Sequence, residues 1–189
     1  MIPPTYAYYR GVFQHCPMPF AFVDLDLFDQ NIEAILARAK GRKICIASKS
    51  IRCVALIRRI LAASPAFHSI MAYSAREAVF LAEQGLDNIL VAYPVWGEAD
   101  TSNVCEALRS GKHITLMVDD SEHAMLLERL GAEAGVILPV CMDIDMSGRY
   151  PGIFFGVRRS PISAPEQALA LWETIRTCPH LRLDGIMGY

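Results

Sequence analysis

A chain of 189 residues, 53% of them hydrophobic and 20% charged, carries enough apolar side chain to bury one sizeable core. Its net charge of −2 comes without a basic stripe, which argues against a nucleic-acid partner. No apolar run approaches the roughly 20 residues that a membrane span needs, and Met1 to Arg10 lacks the apolar core of a signal peptide.

The cysteines at positions 16, 45, 53, 105, 141 and 178 form no C-x-x-C pair, as expected of free thiols in a reducing cytoplasm. The five histidines form no H-x-x-H or H-x-x-E-H pattern, so no metal site is readable.

Taken in chain order, short apolar runs alternate with helix-length amphipathic segments. Strands are predicted at Phe20–Asp24, Lys43–Ser48, His68–Ala72, Asn88–Ala92, His113–Val118, Val136–Ile144 and Leu183–Gly188. Most of these runs are continuously apolar, the pattern of strands covered on both faces. Helices are predicted at Leu27–Lys40, Ile51–Ala63, Ala75–Gln84, Ala99–Arg109, Ser121–Leu130 and Pro165–Thr177. Asp26, Ser50, Ser74 and Asp120 stand where N-caps are wanted, with Glu77 at capping-box spacing from Ser74. Gly41, Gly85, Gly111 and Gly131 follow helices, where a left-handed cap is expected.

This βα rhythm implies an α/β fold with a parallel sheet. Its repeat of roughly 22–25 residues suits the regular modules of a barrel, while a doubly wound sheet would look similar. No G-x-G-x-x-G follows the first strand, which disfavours dinucleotide binding. The segment from Asp145 to Ser163 is long for a strand-to-helix connection, so it is expected to be functional or mobile.

Chemistry-bearing residues gather at predicted strand ends. Lys49 closes the run Ile44–Ser48, where a barrel would turn its amine into the mouth. Arg149, after the strand that ends near Ile144, could offer a cationic fork to an anionic oxygen. Tyr93, before Pro94, and Tyr189, after Gly188, could line the same mouth. The Gly156-Val-Arg-Arg-Ser160 stretch reads as a generic basic turn.

Phe22-Val-Asp-Leu-Asp26 with Asn31, followed by a strand ending in Ser48-Lys49, resembles the start of the alanine-racemase-type pyridoxal-phosphate enzymes. Four further stretches resemble that group's D-threonine aldolase/D-serine dehydratase branch. They are Ile89 to Pro94, Val140 to Arg149, Gly156 to Pro161 and Asp184 to Tyr189.

The resemblance implies a pyridoxal 5′-phosphate cofactor held in a TIM-type (β/α)8 barrel, here incomplete with about six barrel strands. Residues 1–25 would be a lead-in associated with a second β-domain, and 26–189 the partial barrel. Lys49 would be the Schiff-base lysine and Arg149 would meet the cofactor's phenolic oxygen. Tyr189 would lie beside the pyridine ring, and Tyr93 is expected to line the cofactor pocket. The implied activity is that of a lyase (aldolase or ammonia-lyase) or racemase acting on D-amino acids in the cytoplasm.

The chain is expected to be an N-terminal fragment, inactive or weakly active alone. A divalent metal would belong to a C-terminal domain beyond it. Its open sheet edges are expected to favour a homodimer or other self-association. Alternatives are a non-catalytic cofactor-binding barrel and an inactive truncated product.

Overall fold

The computed structural model describes residues 4–189, Arg149 by its backbone alone. The chain divides into two units, 1–43 and 44–189.

In the first unit, α1 (Tyr6–Val12) is capped by Thr5, whose hydroxyl accepts from Tyr8 N. Helix α2 (Leu25–Ala39) is capped by Asp24, two residues before the predicted Asp26. Asp24 Oδ1 accepts from Leu27 N at 3.0 Å and its Oδ2 accepts from the Tyr9 hydroxyl at 2.6 Å. One carboxylate thus caps one helix and ties it to the other. Phe13, Phe20, Phe22 and Tyr9 form a ring cluster beside it, with centroids 4.4–6.3 Å apart.

Phe20–Asp24, predicted as a strand, is irregular. A short apolar run alone does not make a strand, because its backbone needs a ladder partner, and none pairs with it among the described residues.

The second unit holds six parallel strands: β1 (Ile44–Ala47), β2 (Phe67–Ala72), β3 (Ile89–Pro94), β4 (Ile114–Val118), β5 (Leu138–Ile144) and β8 (Leu181–Gly188). Between β5 and β8 lies an antiparallel hairpin, β6 (Gly148–Tyr150) with β7 (Ile153–Phe155). The sheet order is β1-β2-β3-β4-β5-β8. Every parallel neighbour follows the last, with no reversal of order. Right-handed crossovers then place all helices on one face, as in a barrel, whereas a doubly wound sheet reverses its order at a switch point. The sheet is unclosed, with β1 and β8 as its edges.

The helices between strands are α3 (Ser48–Ile51), α4 (Val54–Ala63), α5 (Ala75–Glu83), α6 (Glu98–Arg109), α7 (Ser121–Ala134) and α8 (Pro165–Arg176). Ser74 caps α5 and Asp120 caps α7, as predicted. Ser50 does not cap α4; Cys53 stands there without a side-chain hydrogen bond, because Ser50 is taken into the extra turn α3. Gly131 lies inside α7, where a Cβ would meet His180 Cβ and Val136 O at 3.1 Å. The left-handed cap moves to Gly135, at φ +65°.

The core lies between sheet and helices. Ile70, Ile89, Val91, Ile114, Leu116, Val118, Leu138, Val140 and Met142 are buried against Ile57, Leu81, Val104, Leu127 and Ile175. Each such side chain contributes about 1.5–3 kcal/mol on burial. Because strand side chains alternate, the intervening residues face the other side, and the parallel registers line them up from strand to strand. No helix among the described residues is long and apolar enough to cross a membrane.

Candidate active site

The C-terminal strand ends carry polar groups on the face away from the helices. The register pairs Val118 with Met142 on the core side, which places Asp119 beside Asp143 on the opposite face. Asp143 is wholly buried. Its Oδ2 accepts a 2.7 Å hydrogen bond from Arg159 Nε, in an ion pair whose arginine side chain is only 12% exposed. Arg159 also donates through Nη2 to the carbonyl of Ala92 on β3. Its guanidinium carbon lies 4.5 Å from the ring centroid of Tyr93 and 5.2 Å from that of Tyr189. Nη1 makes no hydrogen bond among the described residues.

The return of the chain after the hairpin fixes this arginine. Ser160 is buried and donates to the carbonyl of Asp143 at 2.7 Å, while its Oγ accepts from Ile162 N. Asp145 N donates to Ile162 O at 2.7 Å. The Asp145–Ser163 segment is therefore an excursion pinned at its base, with the β6–β7 hairpin looped out. Gly156 permits the return at φ +140°, and a Cβ there would overlap the side chain of Ser147.

The environment divides the titrating groups. Burial, then the charges of Asp143 and Asp120, push the Asp119 carboxyl upward, against a pull from Arg159. Burial, with Asp143 and Asp184 adding to it, pushes the Cys141 thiol up to about 11, so it is a neutral filler of the face and not a nucleophile.

The sequence-predicted residues are distributed as follows. Tyr93 and Tyr189 meet at one arginine, and that arginine is Arg159. Arg149 lies in β6 of the hairpin, and its side chain falls outside the described residues. Lys49 sits in α3 directly after the edge strand β1. It borders a groove of about 440 Å³ between α4 and α5, with Arg52, Cys53, Tyr73 and Glu77 among the lining. Tyr73 also makes an edge contact with Tyr93 at 5.7 Å, linking the groove to the arginine cluster. Helix α3 begins at Ser48, so the strand's alternation stops before the lysine and does not dictate its direction. Among the described residues Lys49 has no side-chain hydrogen bond or ion pair; only its carbonyl is used, by Arg52 Nε.

Asp119, Asp143 and Arg159 are the residues that sequence reasoning missed. Arg159 is 16 residues from Asp143 in the chain. The signal that could have found it is the pair of an apolar strand ending in Asp143 and a Gly-x-x-Arg-Ser turn, read with a hairpin inserted between them.

These residues fit the ring of the cofactor implied above. Two phenol rings flank a guanidinium whose Nη1 makes no hydrogen bond among the described residues, suited to an anionic ring oxygen. Lys49 borders the groove that Tyr73 also lines, and Tyr73 in turn contacts Tyr93. No cluster of three or more His, Cys, Asp or Glu that could hold a metal ion occurs among the described residues.

Residues 23–189 match the family model described as alanine racemase, N-terminal domain. Comparison with curated protein sequences gives no match. Among solved structures, the chain is similar to D-threonine aldolase from Filomicrobium marinum, at 21% identity and a TM-score of 0.76 over 90% of this chain and 43% of that one. It is similar to D-threo-3-hydroxyaspartate dehydratase from Delftia sp. HT23, at 23% and 0.74, covering 92% and 44%. Diaminopimelate decarboxylase from Helicobacter pylori gives 18% and 0.72, covering 95% and 46%. At these identities the likeness is one of fold, and the chain spans less than half the length of each of these proteins.

Proposed function

The chain belongs to the alanine racemase N-terminal domain family, whose members bind pyridoxal phosphate, and on that premise we propose that it is the cofactor-bearing part of a lyase or racemase acting on D-amino acids. The observation that carries the reading is the Arg159 guanidinium, ion-paired to buried Asp143 and flanked by Tyr93 and Tyr189. Likeness in fold to an aldolase and a dehydratase whose names specify D-configured substrates supports the substrate class.

Pyridoxal phosphate, when bound, supplies a conjugated electron sink for breaking a bond at Cα of an amino acid. Lys49 would hold the cofactor's aldehyde carbon through its amine, and that same amine could move a proton at Cα of the substrate. Arg159 would present Nη1 toward the ring oxygen, while the side chain of Arg149, which the resemblance assigns to that oxygen, falls outside the described residues. The other two nitrogens of Arg159 each donate, Nε to Asp143 and Nη2 to Ala92, so it would keep its orientation without ligand. Tyr93 and Tyr189 would cover the ring and exclude water.

Absorbance titration of the chain with pyridoxal phosphate, beside Lys49→Ala, tests the reading. A Lys49-dependent imine band is expected, with weak affinity and little turnover of D-threonine or D-serine. An identical spectrum in the two proteins would overturn it.

A further inference from the structure

Next to the arginine cluster, the β2–α5 and β3–α6 loops border a recess of about 430 Å³. Three of its lining side chains are aromatic: Tyr73, Tyr93 and Trp96. They are 61%, 42% and 53% exposed, yet each is held in place. Trp96 lies against the ring of wholly buried His123, with centroids 4.8 Å apart and planes inclined by 32°. His123 Nε2 in turn donates to the Val95 carbonyl at 2.9 Å, so one side chain fixes both the indole and its backbone. Tyr93 has Arg159 over its ring and meets Tyr73 edge-on at 5.7 Å. The backbone N–H of Tyr73 donates to Glu77 Oε2 at 2.6 Å, which fixes the start of its loop. Exposed aromatic surface that is gathered and preorganised, rather than scattered, marks a binding surface.

The charges around the recess select a neutral occupant. Asp100, which also lines it, is already paired with Arg76 Nε at 2.8 Å. Glu98 and Asp100 in the first turn of α6 oppose an anion at that helix start. A cation is opposed by Arg159, whose guanidinium carbon already lies 4.5 Å from the ring centroid of Tyr93. What remains is flat apolar surface, and aromatic rings favour another ring in offset or edge-on contact. We propose that this recess is a binding subsite for an uncharged aromatic ring, with Tyr73 and Trp96 as the side chains that grip it. The ring belongs either to the side chain of an amino acid at the neighbouring cofactor site or to a separate aryl molecule, and both present the same face to the recess.

The chain has two tryptophans, so Trp172→Phe leaves Trp96 as the only one. Its emission is followed while the full chain carrying that substitution is titrated with benzyl alcohol and, separately, with cyclohexylmethanol. Benzyl alcohol is expected to change the emission saturably, and cyclohexylmethanol to bind about fivefold more weakly. A merely apolar cleft would take the cyclohexyl compound as well or better, because it buries more hydrocarbon. Tyr73→Leu in the same background should weaken benzyl alcohol about five- to tenfold. D- and L-phenylalanine separate the two sources of the ring. A preference for the D form assigns it to an amino acid at the cofactor site, and the absence of that preference to a separate aryl molecule. No saturable change with benzyl alcohol overturns the proposal, as does equal or tighter binding of cyclohexylmethanol or unaltered binding in Tyr73→Leu. Should Tyr73→Leu fail to fold, the comparison of the two alcohols decides alone. No cofactor enters these titrations, so their failure would leave the reading of Lys49 standing, and the converse holds.

Discussion

Replacing Arg159 with methionine keeps an unbranched stem and removes the guanidinium, which isolates the ion pair as a source of stability. Asp143 would then be a fully buried carboxylate with neither oxygen paired, since only Oδ2 has a partner to lose. Breaking a buried pair by removing one member costs about 3–5 kcal/mol. Taking up a proton relieves the charge and lowers the cost toward the about 1–3 kcal/mol of an unsatisfied polar group. The penalty should therefore grow as pH rises, because a carboxylate that has lost its guanidinium partner is costly to keep buried once ionised. For a chain of this size each kcal/mol moves the melting temperature by about 2–4 °C, so a 3 kcal/mol loss corresponds to a fall of about 6–12 °C. Arg159→Lys should recover little, since an ammonium cannot serve Asp143 and Ala92 while stacking on two rings. Urea denaturation of the two single variants and the Arg159→Met/Asp143→Leu double variant supplies the assay. The cycle should give a coupling of at least about 2 kcal/mol. Additive effects, or a cost for Arg159→Met below about 1 kcal/mol, would refute the buried-pair argument.

Gly156→Ala should destabilise the return segment by about 1–3 kcal/mol, because its φ of +140° and the nearby Ser147 both reject a Cβ; faster proteolysis within residues 147–160 would report it, and an unchanged rate would count against it. His123 is buried, uses Nε2 against the Val95 carbonyl at 2.9 Å, and has its pKa lowered, by burial foremost. With the folded value depressed, its contribution is present above the unfolded pKa of about 6.5 and is lost as pH falls through the folded value. His123→Phe should remove that part of the acid sensitivity between pH 7 and 5.5, seen as a flatter dependence of urea midpoint on pH; parallel curves would show that His123 does not carry it.

The fold was legible because strands covered on both faces leave an unambiguous mark. The apolar runs from Ile44 to Gly188 each became a strand of the parallel sheet, within a few residues. Ser74 and Asp120 announced their helices through cap chemistry that acts locally. Phe20–Asp24 misled because aromatic residues can cluster with their own neighbours instead of pairing a backbone edge. Lys49 and Tyr189 drew attention in the sequence because each stands within two residues of a strand's C-terminal end. The pairing of Arg159 with Asp143 was hidden, since an inserted hairpin separates the two in the chain. Asp119 and Asp143 depend on the register between β4 and β5, which sequence spacing does not encode.

The central claim is that Lys49 is the residue that takes the aldehyde of pyridoxal phosphate. Incubation of the chain with saturating cofactor, reduction with borohydride and peptide mapping by mass spectrometry tests it most directly. The account predicts a pyridoxyl label concentrated on the peptide containing Lys49, and reduced when Arg159 is replaced. Label spread evenly over Lys40, Lys43, Lys49 and Lys112 would contradict it.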